Sequence, residues 1–271
     1  MAPSSSSSSA AAPTRRTGRR HPLVAAALLV IGLLATGGAY AVATTTATAE
    51  STTASTKMVD EGGKLFAANC ASCHGLQGQG AETGPSLVGV GALAVDFQVG
   101  TGRMPMAASG PQAEVKPVQF TQDQIDAMGA WVAQLGPGPA IPADEYIAGD
   151  GDAAIGAELF RVNCAMCHNV AGAGGALTEG KYAPSLAGVD PVHIYGAMVT
   201  GPQNMPVFSD LNLTPEEKND IITYLTYLEE NPSVGGIDLG SLGPVSEGLF
   251  IWIFGLGGLI AVTIWLTAKS N

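Results

Sequence analysis

The chain has 271 residues, 46% of them hydrophobic and 13% charged, and its 23 acidic residues outnumber its 12 basic ones to give a formal net charge of −11. All of the acidic residues but only seven basic ones lie between two apolar segments near the ends, so the region between those segments has a formal net charge of −16. This balance argues against nucleic acid or anionic lipid as a binding surface. It fits either a partner with a basic docking face or simple solubility.

The N-terminal part predicts an exported protein. Residues 1–22 form a low-complexity basic leader, and residues 23–43 are uncharged, mostly apolar and long enough to cross a hydrocarbon layer of about 30 Å. The arginines before this segment keep the N-terminus in the cytoplasm. Its length favours a retained anchor, whereas the Gly37-Gly38 break and the small residues at its end also fit a cleaved signal peptide. Residues 44–57, rich in Thr, Ala and Ser, are predicted to be an extended or disordered linker.

Two Cys-x-x-Cys-His pentapeptides follow. This pattern is typical of c-type haem attachment, in which two thiols bond to the vinyl groups of one porphyrin and the imidazole reaches its iron. A zinc site would need the two motifs to converge on one metal, and a redox pair would need a βαβ setting that the sequence does not indicate. All four cysteines are used, so none is left for a disulfide. The residues concerned are Cys70, Cys73 and His74 in the first motif and Cys164, Cys167 and His168 in the second.

The segments around the motifs are repeated as well. Leu-Phe precedes each motif, Pro-Ser-Leu and Met-Pro follow it, and an amphipathic helix with a capping box closes each unit. Matching positions lie 93 to 101 residues apart and occur only twice, which indicates a duplicated domain. We therefore predict two haem lobes at residues 58–135 and 151–230, joined by a linker at 136–150.

The C-terminal part predicts a membrane helix. Residues 249–268 are uncharged, with Trp252 and Trp265 near the ends as interfacial aromatics, and they follow a linker at 231–248. If both apolar segments span the membrane, the lobes lie on the extracytoplasmic side of the plasma membrane and both termini are cytoplasmic.

The histidine count restricts the second axial ligand of each iron. Besides the motif residues, the lobes contain only His193, which belongs to the second. The candidates are therefore Met104 and Met106 in the first lobe, and Met205, Met198 and His193 in the second. His/Met ligation is typical of electron carriers, and it raises the reduction potential.

Each unit resembles a class I cytochrome c domain. The resemblance implies an all-α fold with two tandem domains of this class plus one or two transmembrane helices. Because the family's axial methionine usually precedes a proline, it favours Met104 and Met205 as iron ligands and leaves His193 at a pocket edge or on the surface.

The same resemblance implies further contacts around each haem. The carbonyls of two prolines would accept hydrogen bonds from the proximal imidazoles, and the helix before each motif would pack across the closing helix. The pairs implied are His74 with Pro85, His168 with Pro184, Phe66 with Trp131, and Phe160 with Tyr224.

The whole arrangement is similar to the dihaem cytochrome cc subunit of the actinobacterial cytochrome bcc complex, a quinol:cytochrome c oxidoreductase. That similarity implies two covalently bound haem c groups, no catalytic residue for bond chemistry, and a relay in which the first lobe receives electrons and the second delivers them. The implied partners are a cytochrome b subunit, a Rieske iron–sulfur subunit, a haem–copper terminal oxidase in a supercomplex, and membrane lipid. The alternatives are a dihaem electron acceptor for a periplasmic dehydrogenase and a dihaem peroxidase, which would need one haem to lose its methionine.

Overall fold

The computed structural model describes residues 22–108, 110–231 and 244–269. The chain divides into two units, Met1–Ser55 and Thr56–Asn271, and the second contains both haem motifs. Helices dominate, which confirms the predicted all-α class. The elements up to the end of the first lobe are α1 (Pro22–Asn69), α2 (Ala71–His74), α3 (Gly91–Gly100) and α4 (Gln122–Ala133).

The second lobe repeats this order and adds a small hairpin. A 3-10 turn at Asp144–Tyr146 precedes it, and strands β1 and β2 pair antiparallel on either side of a second 3-10 turn. The remaining elements are α5 (Ala153–Asn163), α6 (Ala165–His168), β1 (Gly175–Ala176), the turn Thr178–Gly180, β2 (Tyr182–Ala183), α7 (Pro191–Thr200) and α8 (Pro215–Glu230).

Helix α1 corrects one sequence expectation. Its backbone is helical without a break from Pro22 to Asn69, so residues 44–57 are not extended. The physical reason is that this stretch contains neither glycine nor proline, the two residues that oppose a helix most strongly. The basic leader up to residue 21 lies outside the described residues, as does most of the linker predicted at 231–248.

The closing helices α4 and α8 begin as the sequence predicts. Thr121 and Gln124 form a complete capping box at the start of α4, and Thr214 and Glu217 form one at the start of α8. These boxes satisfy backbone N–H groups that have no partner inside the helix. The start of each closing helix is therefore encoded locally, before any tertiary contact forms.

The aromatic contacts implied by the resemblance are confirmed in both lobes. The ring centroids of Phe66 and Trp131 lie 4.3 Å apart, and those of Phe160 and Tyr224 lie 5.5 Å apart. Both phenylalanines are almost completely buried. Each joins the helix before a haem motif to the helix that closes its lobe.

A glycine permits each of these helix crossings. A Cβ atom at Gly62 would lie 1.9 Å from the carbonyl oxygen of Ala127, and one at Gly156 would lie 1.9 Å from that of Asp220. No side chain fits at such distances, so the crossings require glycine. The sequence analysis did not identify these residues, although both stand eight positions before the first cysteine of their motif.

The two lobes are packed against each other through α3 and α7. Leu93 on α3 is 1% exposed, and it is buried in the core cluster of the second lobe with Ile194, Tyr195 and Phe160. The first-lobe cluster is built from Phe66, Val95, Val99, Ile125, Met128 and Val132. A single helix therefore contributes to both cores, and the lobes share an apolar interface.

One helix among the described residues is long and apolar enough to cross a membrane. It covers Ser246–Lys269, through α9 (Pro244–Phe250), a π-helical turn (Ile251–Leu256) and α10 (Gly257–Lys269). This agrees with the span predicted at 249–268. The apolar part of α1, Ala26–Tyr40, is shorter than such a helix needs.

Candidate haem sites

Each haem motif lies at a helix break that recurs in both lobes. Cys70 ends α1 with φ −121°, and Cys164 ends α5 with φ −120°, before the single turns α2 and α6. The amides of His74 and His168 donate to the carbonyls of Cys70 and Cys164 at 3.0 and 2.9 Å. This turn holds the two thiols and the imidazole of each motif close together.

Both motif histidines are oriented by a proline carbonyl. Nδ1 of His74 lies 2.8 Å from the carbonyl oxygen of Pro85, and Nδ1 of His168 lies 3.0 Å from that of Pro184. Because a carbonyl can only accept, Nδ1 carries the proton and Nε2 keeps its lone pair. Metal-binding imidazoles are typically fixed in this way.

Burial in the second lobe favours the neutral form of the imidazole, which is the form that binds a metal. Burial lowers the pKa of His168, and the hydrogen bond to Pro184 opposes that shift only in part. Burial also raises the pKa of Cys70, and it raises the pKa of Cys164 to about 11, so neither is a ready thiolate. Among the described residues no group of three or more His, Cys, Asp or Glu side chains converges on one point.

A cavity of about 460 Å³ lies beside the second motif. Cys164, Cys167 and His168 form part of its wall, and Met205 contributes a thioether. Two neighbouring thiols, an imidazole with a free Nε2 and a methionine in one largely apolar cavity are the donor set that haem c needs. The residues of this site therefore fit the group that its motif predicts.

The methionine candidates occupy different environments. Met104 packs against the first-lobe core cluster, to which Cys70 also contributes, whereas Met106 is exposed. Met205 lines the cavity, whereas Met198 is buried in the second-lobe core and is not part of the cavity wall. These positions favour Met104 and Met205 over their nearest competitors.

His193 lines the same cavity, and its imidazole is paired with a carboxylate. Its Nε2 lies 3.4 Å from Oδ2 of Asp96, which belongs to α3 of the first lobe. Burial opposes ionisation of Asp96, but its contacts with His193 and Gln122 outweigh burial and lower its pKa. His193 thus contributes to the contact between the lobes.

The first lobe forms part of the second-lobe cavity, which the sequence analysis did not predict. Gln112 forms two hydrogen bonds with the backbone of Tyr182, each 2.9 Å long, and joins the first lobe to β2. A repeat pattern describes each lobe separately and contains no signal for contacts between lobes. The first-lobe residues in the cavity wall are Phe97, Thr101, Arg103, Gln112 and Val115.

Two different family models match the two lobes, whereas similar proteins that cover most of the chain share one name. A family model described as cytochrome c matches residues 59–136, and one described as cytochrome c oxidase, cbb3-type, subunit III matches residues 151–225. A protein of Corynebacterium efficiens named cytochrome bc1 complex cytochrome c subunit is 47% identical over 229 residues, covering 79% of this chain and 77% of its own length. The chain belongs to this family. A Mycobacterium tuberculosis protein with the same name is 45% identical over 225 residues, covering 80% of each chain.

Membership among the cytochrome bc1 complex cytochrome c subunits agrees with the resemblance found in the sequence. Both lobes are cytochrome c domains, and domains of this type bind haem c covalently. The geometry of the two motifs can therefore be interpreted as haem attachment.

Proposed function

We propose that this chain is the dihaem cytochrome c subunit of a respiratory quinol:cytochrome c oxidoreductase. The observation that carries the proposal is the repeated His–Pro hydrogen bond, because it leaves one imidazole nitrogen free for a metal beside two thiols in each lobe. The names of the relatives support the assignment to a bc complex. Haem c held by His and Met takes up and releases one electron at a time.

The residues of each lobe have separate roles in this proposal. Cys70 and Cys73, and in the second lobe Cys164 and Cys167, form the thioether bonds. His74 and His168 are the proximal ligands, and Pro85 and Pro184 keep their rings oriented. Met104 and Met205 would each supply a second protein ligand to one iron, which would leave no position open to a substrate, so we expect no bond chemistry on this chain.

The relatives' names support partners within a bc1 complex, and the resemblance of the sequence to the cytochrome cc subunit suggests which partners these are. We propose that a Rieske iron–sulfur subunit delivers electrons to the first lobe, that the second lobe passes them to the copper centre of a haem–copper terminal oxidase in a supercomplex, and that a cytochrome b subunit completes the reductase. The apolar helix Ser246–Lys269 supports attachment to a membrane. We place the lobes on the extracytoplasmic side because the arginines before residue 23 are expected to stay in the cytoplasm.

The experiment has two parts on the full-length protein in mild detergent. A pyridine haemochrome assay and intact mass should give two covalently attached haem c groups per chain. Co-purified subunits should include a cytochrome b and a Rieske protein. A dehydrogenase with a quinone or flavin cofactor in their place would favour the acceptor alternative, and a mass without added haem would refute the proposal.

Substitution of the methionines tests the axial ligands. Met104→Ala and Met205→Ala should each lower the reduction potential of one haem while both remain attached, because a strong-field thioether that favours the reduced iron is lost. The matched controls are Met106→Ala and Met166→Ala, both at exposed side chains, which should leave the potentials unchanged. Unchanged potentials in the Met104 and Met205 variants would contradict the assignment, and ready binding of carbon monoxide to one ferrous haem of the wild type would favour a peroxidase.

A further inference from the structure

Arg103 belongs to the first lobe but lines the cavity of the second. It directly precedes Met104, yet its side chain is part of the wall that also contains His168 and Met205. Its guanidinium carbon lies 4.8 Å from the centre of the Phe97 ring. This stacking fixes the side chain at the boundary between the two lobes.

The guanidinium of Arg103 has no ion-pair partner among the residues that the structure describes. Its side chain is partly buried, and among the residues that the structure describes no carboxylate oxygen lies within 4.0 Å of it. The other basic groups of the cavity wall are engaged, since Lys181 bonds Asn204 and pairs with Glu179, and His193 pairs with Asp96. A guanidinium remains charged in proteins, so a partly buried one favours an anionic partner.

The backbone around Arg103 is held on both sides. Lys116 donates to the carbonyl oxygens of Arg103 and Pro105 within the first lobe. Further along the same loop, Gln112 binds the backbone of Tyr182 in the second. The loop that contains Arg103 is thus attached to both lobes, and Arg103 lines the cavity beside the second haem motif.

We propose that Arg103 binds a haem carboxylate in the second-lobe cavity and thereby raises the reduction potential of that haem. This inference rests on the proposed function, because only an attached haem c would bring a carboxylate into the cavity. A positive charge in a partly buried site stabilises the reduced form, which carries one positive charge fewer than the oxidised form. Arg103 is in this sense a positioning residue that ties the second haem to the first lobe.

The position equivalent to Arg103 in the second lobe carries no charge, so we expect no reciprocal effect on the potential of the first-lobe haem. The residue that matches Arg103 before the second Met-Pro is Asn204, which is uncharged and accepts a hydrogen bond from Lys181 of its own lobe. The second lobe therefore supplies no cation from the equivalent position. We expect Arg103 to act on the potential of the second-lobe haem alone.

The test is a spectroelectrochemical titration of the full-length protein with Arg103→Gln, Arg103→Lys and Arg161→Gln. Arg161 is exposed, and it lies three residues before Cys164, so its substitution removes the same charge close to the same motif but in water. Arg103→Gln should lower one potential, namely the one that also falls in Met205→Ala. Arg103→Lys should restore most of that potential because it keeps the charge, and Arg161→Gln should change neither haem measurably.

Three results would overturn the proposal. They are unchanged potentials in Arg103→Gln, a shift confined to the haem affected by Met104→Ala, and a shift in Arg103→Gln that Arg161→Gln reproduces. The haem content of each variant is measured first. If two haem c groups are attached and the potential of the second-lobe haem does not respond to Arg103→Gln, this inference fails while the proposed function stands, whereas a wild type without attached haem refutes the proposed function itself.

Discussion

In the first lobe Thr121 lies 17 residues after Met104, whereas in the second Thr214 lies nine residues after Met205. The second lobe is longer elsewhere, because Pro184 follows Cys164 by 20 residues and Pro85 follows Cys70 by 15. These two longer segments meet, since the first contains Gln112 and the second contains Tyr182. The lobes are thus alike around the haem motif and differ in the two segments that Gln112 and Tyr182 join.

The methionine loops, which are the segments around Met104 and Met205 that lead to the closing helices, are held differently in the two lobes. In the first, Lys116 reaches the backbone carbonyls of Arg103 and Pro105 from within the longer segment. In the second, Lys218 of α8 is fully buried and donates to the Leu213 carbonyl at 2.6 Å and to Asp210 at 2.7 Å. The comparison teaches that this loop can be held either from within the loop or from the closing helix, in both cases by a lysine ammonium group that donates hydrogen bonds to backbone carbonyls.

The largest expected effect concerns a feature that both lobes share, the buried phenylalanine on the helix before each haem motif. Phe66→Ala and Phe160→Ala should each lower the free energy of unfolding by about 3–5 kcal/mol, because each empties a fully buried aromatic site. Denaturant unfolding of the haem-loaded protein, followed by the haem absorbance, measures the loss. Val162→Ala, at an exposed position of α5, is the control and should stay within about 0.5 kcal/mol of wild type. A small loss in only one of the two phenylalanine variants would show that the cores are not equivalent.

The next effect distinguishes the lobes by the lysine that holds each methionine loop. Lys218→Met should destabilise the second lobe by about 1.5–3 kcal/mol, because the buried Leu213 carbonyl loses a charged donor. Lys116→Met should cost less, because Lys116 is only partly buried. Denaturant midpoints measure both, with the exposed Lys64→Met as the control. Equal losses in the Lys116 and Lys218 variants would contradict the difference between the two methionine loops.

A third change tests the glycine crossings. Gly62→Ala and Gly156→Ala should each destabilise by about 1–3 kcal/mol through a clash with a facing carbonyl, although alanine is the better helix former. Gly32→Ala in α1, where an added Cβ meets nothing within 4 Å, is the control and should not destabilise. The melting temperature of each variant is the measurement, and a stabilised Gly62 or Gly156 variant would show that the helices do not approach this closely.

The smallest effect concerns the contact between the lobes. Because the pKa of Asp96 is lower in the folded chain than its usual value of about 3.9, its ionised form stabilises the fold above that pH. This contribution is lost as the pH falls through the lowered pKa. Asp96→Asn should therefore reduce stability by about 1 kcal/mol at neutral pH and much less under strongly acid conditions. A difference from wild type that does not change with pH, measured as denaturant midpoints, would contradict this role.

Much of the molecule was predictable because its signals are local. The two Cys-x-x-Cys-His motifs, the capping boxes at Thr121 and Thr214, and the C-terminal apolar segment each lie within a few turns of chain. The expectation of an extended or disordered linker at residues 44–57 is wrong, because a Thr- and Ser-rich composition was given more weight than the absence of a helix breaker. Whether such a stretch is helical depends on small differences in helix propensity between its residues.

The sequence by itself determined the two haem motifs, the lobes around them and the apolar segments, because covalent attachment and helix periodicity depend on residues that lie close together in the chain. Only the tertiary structure decided that Leu93 completes the core of the other lobe and that Arg103 faces the other lobe's cavity. Both depend on how α3 packs against α7, and that packing is set by the shapes of surfaces far apart in the chain. No local pattern records such a match, so it becomes visible only when the two lobes are folded together.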